Sequence, residues 1–197
     1  MNNLEDFHED ILGKAMRGLN IGKNDMAKRV GAQRSAIEAI LNGEVDSMLI
    51  KMMANELELD AGKLLQAARK EWFPAPVDIS GLRLFSSSYA DMIVNSYVVW
   101  DEVARSAWIF DTGTDAEPIL QFIHERKLKV DTIFLTHTHG DHIACLDDLR
   151  GQVGNPKVHV HQLELFEGCV PIEEGFEYSI DSLSIKAKHT HGHSVGG

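Results

Sequence analysis

The stretch Val130-Asp131-Thr132-Ile133-Phe134-Leu135-Thr136-His137-Thr138-His139-Gly140-Asp141-His142 runs from an apolar, strand-like segment straight into three imidazoles and a carboxylate. Side chains alternate along an extended strand, so His137 and His139 leave one face together and can grip one ion while Thr138 points away. Gly140 lets the chain turn without a Cβ penalty, and Asp141 and His142 then enter from the first turn of a helix, toward a second ion. Zinc takes imidazole nitrogen and carboxylate oxygen, and a catalytic site keeps one position open for water. Solvated loop histidines do not account for this clustering beside an acid directly after a buried strand. The stretch reads as a metal-binding loop.

The remaining histidines read differently. His159 and His161 alternate along Lys157-Val158-His159-Val160-His161, as a ligand pair could, but no acid or turn follows them in the way Asp141 follows His139, so they are expected to be strand residues. His8 and His124 fall in helical patterns and are expected at the surface. Cys145 and Cys169 share no spacing with each other or with the histidines, and both read as free buried thiols.

With 44% hydrophobic and 25% charged residues the chain is of ordinary globular composition, and its 197 residues suffice for one domain or two small ones. Met1 to Asp10 carries four acids and no apolar core, and no run approaches the ~20 apolar residues of a membrane span. The expectation is a cytoplasmic protein without a membrane partner. The net charge of −11 is uneven: residues 1–76 hold 10 basic and 12 acidic residues (−2), residues 77–197 hold 9 and 18 (−9). The acidic part is the part with the histidine loop. Such a field disfavours polyanions there and attracts cations, so small-molecule substrates are expected.

Periodicity divides the chain in the same place. Residues 4–72 repeat apolar side chains at three-to-four spacing, as in Ile11, Leu12, Ala15 and Met16, then Met26, Ala27 and Val30, then Ile37, Ile40 and Leu41. Five short helices fit, with Asn24 and Asp60 as N-caps and Gly31 and Gly43 as stops or turns. From residue 82 short strands take over, at Leu82 to Ser86, Ile93 to Trp100 and Ala107 to Phe110, followed by a helix near Ala116 to Arg126 and the strand that feeds the histidine loop. That is an α/β pattern. The two prolines of Trp72-Phe73-Pro74-Ala75-Pro76 make a stiff linker, which puts the domains at 1–76 and 77–197.

Within Asp25 to Gly43, small Ala27 allows close helix approach, Gly31 forms a turn, and Ile37 and Ile40 fill the groove between two helices. This resembles the helix-turn-helix of the phage-repressor (Cro/CI-like) family, over about residues 10–68. Gln33, Arg34, Ser35 and Asn42 would face base edges, with Lys28 and Arg29 nearby. Glu38 and the net charge of −2 fit association instead, including a homodimer. DNA and protein partners both stay open.

The later stretch Lys188-His189-Thr190-His191-Gly192-His193-Ser194 is similar to the Gly-His-Ser/Thr turn of the metallo-β-lactamase superfamily, and Ile109-Phe110-Asp111-Thr112-Gly113 looks like the Asp-x-Gly strand end that supports its first histidine loop. The resemblance implies a partial αββα domain after the all-α bundle, an α+β/α/β chain overall. Element order looks most like glyoxalase II, a thioester hydrolase. It implies two zinc ions, with iron or manganese as alternatives: His137, His139 and His193 on one, Asp141 and His142 on the other, and Asp141 as the catalytic carboxylate. His189 and His191 would be no more than flanking groups. The implied reaction is hydrolysis of a small ester, thioester or lactone by a metal-activated hydroxide. The alternatives are a metabolite- or metal-sensing regulator with a degenerate metallo-domain, and an iron-dependent sulfur dioxygenase. The family also has a bridging aspartate and a final histidine well downstream, whereas only four residues follow His193 here. The expectation is a truncated chain with at most about one metal and little turnover, its apolar sheet surface around Ile133, Phe134 and Ile185 left uncovered.

Overall fold

The computed structural model describes residues 6–73, 75, 78–90 and 92–197. It divides into two compact units, Met1–Pro76 with His191–His193, and Val77–Thr190 with Ser194–Gly197. The stiffness read from Pro74 and Pro76 lies outside the described residues.

The first unit is helical: α1 His8–Gly18, α2 Lys23–Arg29, α3 Arg34–Leu41, α4 Ser47–Glu56 and α5 Ala61–Ala68. Apolar side chains three and four apart give each helix one inward stripe, and Leu12, Met26, Ile37, Ile40, Ile50 and Met53 meet in a closed core. Asp60 caps α5 by accepting from the Lys63 N–H, and Asp46 caps α4 by accepting from Met48 and Leu49. Gly31 and Gly43 take left-handed φ angles of 65° and 95° beyond α2 and α3, where other residues would be strained.

Two expectations fail here. Asn24 lies inside α2, whose cap is the extended Gly22. His8 is buried, not at the surface: it stands one helical turn before Leu12 and so falls on the inner stripe, with Nε2 3.0 Å from the Glu44 carbonyl and Nδ1 2.8 Å from the Glu9 carboxylate.

The second unit is built on a six-stranded sheet in sequence order: β1 Leu82–Tyr89, β2 Met92–Trp100, β3 Ser106–Phe110, β4 Lys129–Phe134, β5 Lys157–His161 and β6 Cys169–Ile172. The first three strands are antiparallel and the pairings from β3 to β6 are parallel. Parallel neighbours need crossovers, supplied by α6 Glu117–Arg126 and, between β4 and β5, by α7 Gly140–Ile143 and α8 Leu146–Gln152. Alternation along the strands then sorts the core. Ala107, Ile109, Ile133, Val158 and Val160 pack with Ile119, Ile123, Leu146 and Leu149 of the helices. Trp108, Phe134 and His159 face the other way.

That other face carries a hairpin, β7 Glu177–Ile180 and β8 Leu183–Lys186. Its Tyr178 ring lies 5.7 Å from Trp108 and 6.0 Å from Phe134, centroid to centroid, and its hydroxyl donates to Asp131 at 2.8 Å. The bare sheet surface expected around Ile133 and Phe134 is therefore absent. Ile133 belongs to the helix-covered face and Phe134 lies under the hairpin, both buried, while Ile185 is half-buried.

A fragment of residues 1–72 is expected to fold alone, because its apolar stripes close on one another. Circular dichroism should show a helical spectrum and a cooperative melt; a disordered fragment would mean that this core depends on the rest of the chain.

Candidate metal centre

The parallel pairing of β3 with β4 brings both strand ends, Phe110 and Phe134, side by side, so the residues that follow them meet. Asp111 leaves β3 with a left-handed φ of 56°, a conformation that Asp tolerates better than most residues, and its carboxylate turns into the protein. One oxygen, Oδ1, accepts the Thr136 N–H at 2.8 Å. The other, Oδ2, lies 2.8 Å from Thr136 Oγ1 and 2.9 Å from His142 Nδ1. A carboxylate only accepts, so the threonine hydroxyl and the His142 Nδ1–H both donate to it.

Those two donations set the histidine tautomers. The Thr136 oxygen, its proton spent on Asp111, accepts from His137 Nδ1 at 2.9 Å. His137 and His142 therefore each present a lone pair on Nε2, the form in which an imidazole ligates a metal with its other nitrogen hydrogen-bonded. β4 ends at Phe134, so His137 and His139 stand in the loop after it and not on the strand as expected. His139 is extended, with φ −64° and ψ 146°, and His137 Nε2 lies 3.0 Å from His139 Nδ1, with His137 buried. His193, the third ligand that the resemblance implies, is grouped with the helical unit. Asp141 and His142 sit on α7, the short helix that opens at Gly140, with Asp141 Oδ2 3.6 Å from His142 Nε2 and the His142 ring centroid 4.0 Å from that of His137. Imidazole nitrogens beside a carboxylate suit zinc, iron or manganese.

His159 and His161 are strand residues, as expected, and both are buried. Thr132 Oγ1 lies 2.9 Å from His159 Nδ1, and burial pushes the His159 pKa down. His189 stacks on His161 with centroids 4.2 Å apart.

Glu164 escapes a reading of the sequence. It stands outside the histidine loop, yet it is buried and lies against Thr138, the residue between His137 and His139. The signal for it is tertiary. Beside His139 the same region forms a cleft of about 510 Å³ whose apolar wall is Ile143, Leu163, Leu165, Phe166 and Val195.

A family model described as the metallo-beta-lactamase superfamily matches residues 89–197. Lactamase-like protein nscB of Arthroderma benhamiae is 31% identical over 105 residues, 51% of this chain and 24% of that protein. The hydroxyacylglutathione hydrolase of Hahella chejuensis is 29% identical over 89 residues, 45% of this chain and 34% of its own. The atrochrysone carboxyl ACP thioesterase of Aspergillus chevalieri is 30% identical over 105 residues, 51% and 33%. The chain thus spans about a quarter to a third of the length of these curated relatives. Among solved structures, the BLEG-1 B3 metallo-beta-lactamase superposes with a TM-score of 0.47 at 23% identity, covering 58% of this chain and 64% of that one.

Asp111→Asn tolerates the left-handed backbone but keeps a single acceptor oxygen for three donors. A loss of about 1–3 kcal/mol in urea unfolding is expected, and about 3–5 kcal/mol for Asp111→Ala, which leaves all three donors unanswered. Wild-type stability in both variants would show that the network contributes nothing.

Proposed function

Because the chain belongs to the metallo-beta-lactamase superfamily, we propose that its α/β unit carries the metal centre of a hydrolase acting on small thioesters, esters or lactones, thioesters first. The carrying observation is the paired presentation of His137 Nε2 and His139 Nδ1 beside a His142 whose Nδ1 is held by Asp111. His137, His139 and His193 are proposed as ligands of one zinc ion, Asp141 and His142 of a second. Divalent ions there would bring the pKa of water to about 7 and polarise an acyl carbonyl. Asp111 fixes the tautomer and direction of His142, and Asp141 offers the carboxylate beside the cluster that orients the attacking water. The cleft next to His139 would receive an apolar acyl group, with Leu163, Leu165 and Phe166 displacing water from it. The thioester preference leans on two relatives, one a thioesterase and the other a hydroxyacylglutathione hydrolase by name.

His137→Ala and His139→Ala should lose most of the zinc that wild type retains, whereas His159→Ala should keep it, by elemental analysis of purified protein. Equal loss at His159 would overturn the ligand assignment. Thioester cleavage by the zinc-loaded protein should fall with the metal, and inactivity toward thioesters, esters and lactones alike would remove the hydrolase reading. Iron recovered from the native protein would favour sulfur dioxygenase chemistry.

For the helical unit we propose protein association ahead of DNA binding. The basic groups of α2 and α3 lie beside acids: Arg34 Nε donates to Glu38 at 3.0 Å, Lys23 lies 3.8 Å from Glu38, and Arg29 lies 4.0 Å from Glu56. Phosphate contacts would have to compete with those carboxylates. Val45, Met48 and Met52 form an exposed apolar set at the start of α4. Sedimentation should show self-association that weakens in Met48→Lys, with no salt-sensitive gel shift on duplex DNA. A specific shift with a monomeric protein would reverse the order.

A further inference from the structure

Thr138 separates the two histidines of the loop, and its amide and hydroxyl both point at one carboxylate oxygen: Glu164 Oε2 accepts the Thr138 N–H at 2.6 Å and the Thr138 hydroxyl at 2.9 Å. Oε1 accepts the Gly196 N–H at 2.8 Å. One side chain therefore ties the His137–His139 segment to the segment that follows Gly192-His193. The approach is close. A Cβ on Gly196 would stand 3.0 Å from Glu164 Cγ and 2.9 Å from His161 Cβ, so only glycine lets that backbone reach the carboxylate. Glu164 itself is placed by the single 3-10 turn Gln162–Glu164 that follows β5.

We infer that Glu164 is a positioning residue for the metal centre, holding the backbone between His137 and His139 where their imidazoles can share an ion, and anchoring it to the backbone of Gly196. This rests on the metal reading above. A carboxylate suits the task because it has an acceptor oxygen for each side. Burial pushes the Glu164 carboxyl up, but the hydrogen bonds it accepts outweigh burial and hold the pKa at about 2, so the group is ionised at neutral pH. An ionised acceptor makes these bonds short and strong. Glutamine would keep one acceptor oxygen and turn an NH₂ toward the opposing donors.

The test is zinc affinity of the full chain, by competition with a chromophoric chelator, with the cobalt(II) absorption spectrum as a second readout. Glu164→Gln is expected to bind zinc about 10–100-fold more weakly, the range for groups that orient metal ligands, and to broaden or weaken the cobalt bands. Thr138→Ala, which removes one of the two donors to Oε2, should show a smaller loss in the same direction and decides the matter if Glu164→Gln does not fold. Gly196→Ala should weaken zinc from the other side of the bridge. Folded Glu164→Gln with wild-type zinc affinity and cobalt spectrum would overturn the inference while leaving the metal reading intact, as would an unaltered Thr138→Ala if that variant has to decide. Wild type that binds neither ion would overturn both.

Discussion

The carboxylate of Asp111 takes three hydrogen bonds in a buried position, and each one fixes part of the histidine loop. The bond from the Thr136 N–H sets where the chain goes after β4. The bond from the Thr136 hydroxyl leaves that oxygen able to hold His137 Nδ1, and the bond from His142 Nδ1 fixes a second ring on α7. Remove the charge and both rings lose the reason for presenting Nε2. A buried ion without its donors would itself be costly, so loop and carboxylate depend on each other.

This mutual dependence needs the sheet. Asp111 and Thr136 are 25 residues apart, and they meet because β3 and β4 run parallel and end level with each other. A parallel pair requires a crossover, and α6 provides it while covering the face that carries Ala107, Ile109 and Ile133. The opposite face is closed by the hairpin whose Tyr178 lies over Trp108 and Phe134. Asp111 and the histidine loop thus gather where strands end, beyond the packed layers.

Much of the centre is legible in the sequence because metal ligation imposes residue type and short spacing at once. Three imidazoles and an acid within six positions serve little purpose except to hold an ion, and the Gly-His turn and Asp-x-Gly strand end bear a resemblance strong enough to name a family. Where local reasoning fails, a longer-range fact decides. His137 and His139 meet although the strand stops at Phe134, because the loop beyond it brings the two rings together. His8 goes against expectation because its place one turn before Leu12 outweighs its polarity. Ile133 and Phe134 are covered against expectation because nothing in their own stretch announces a hairpin some 40 residues later.

Sequence alone determined the two regimes of periodicity, the helix stops at Gly31 and Gly43, and the ligand-type residues of the loop, all properties of neighbours along the chain. Only the tertiary structure decided which nitrogen each imidazole presents, because that depends on Asp111, Thr136 and His142 meeting across two strand ends. Only the tertiary structure could single out Glu164 as well. Its acceptors answer donors 26 and 32 residues away, and hydrogen bonds of that reach leave no period or motif in the chain that makes them.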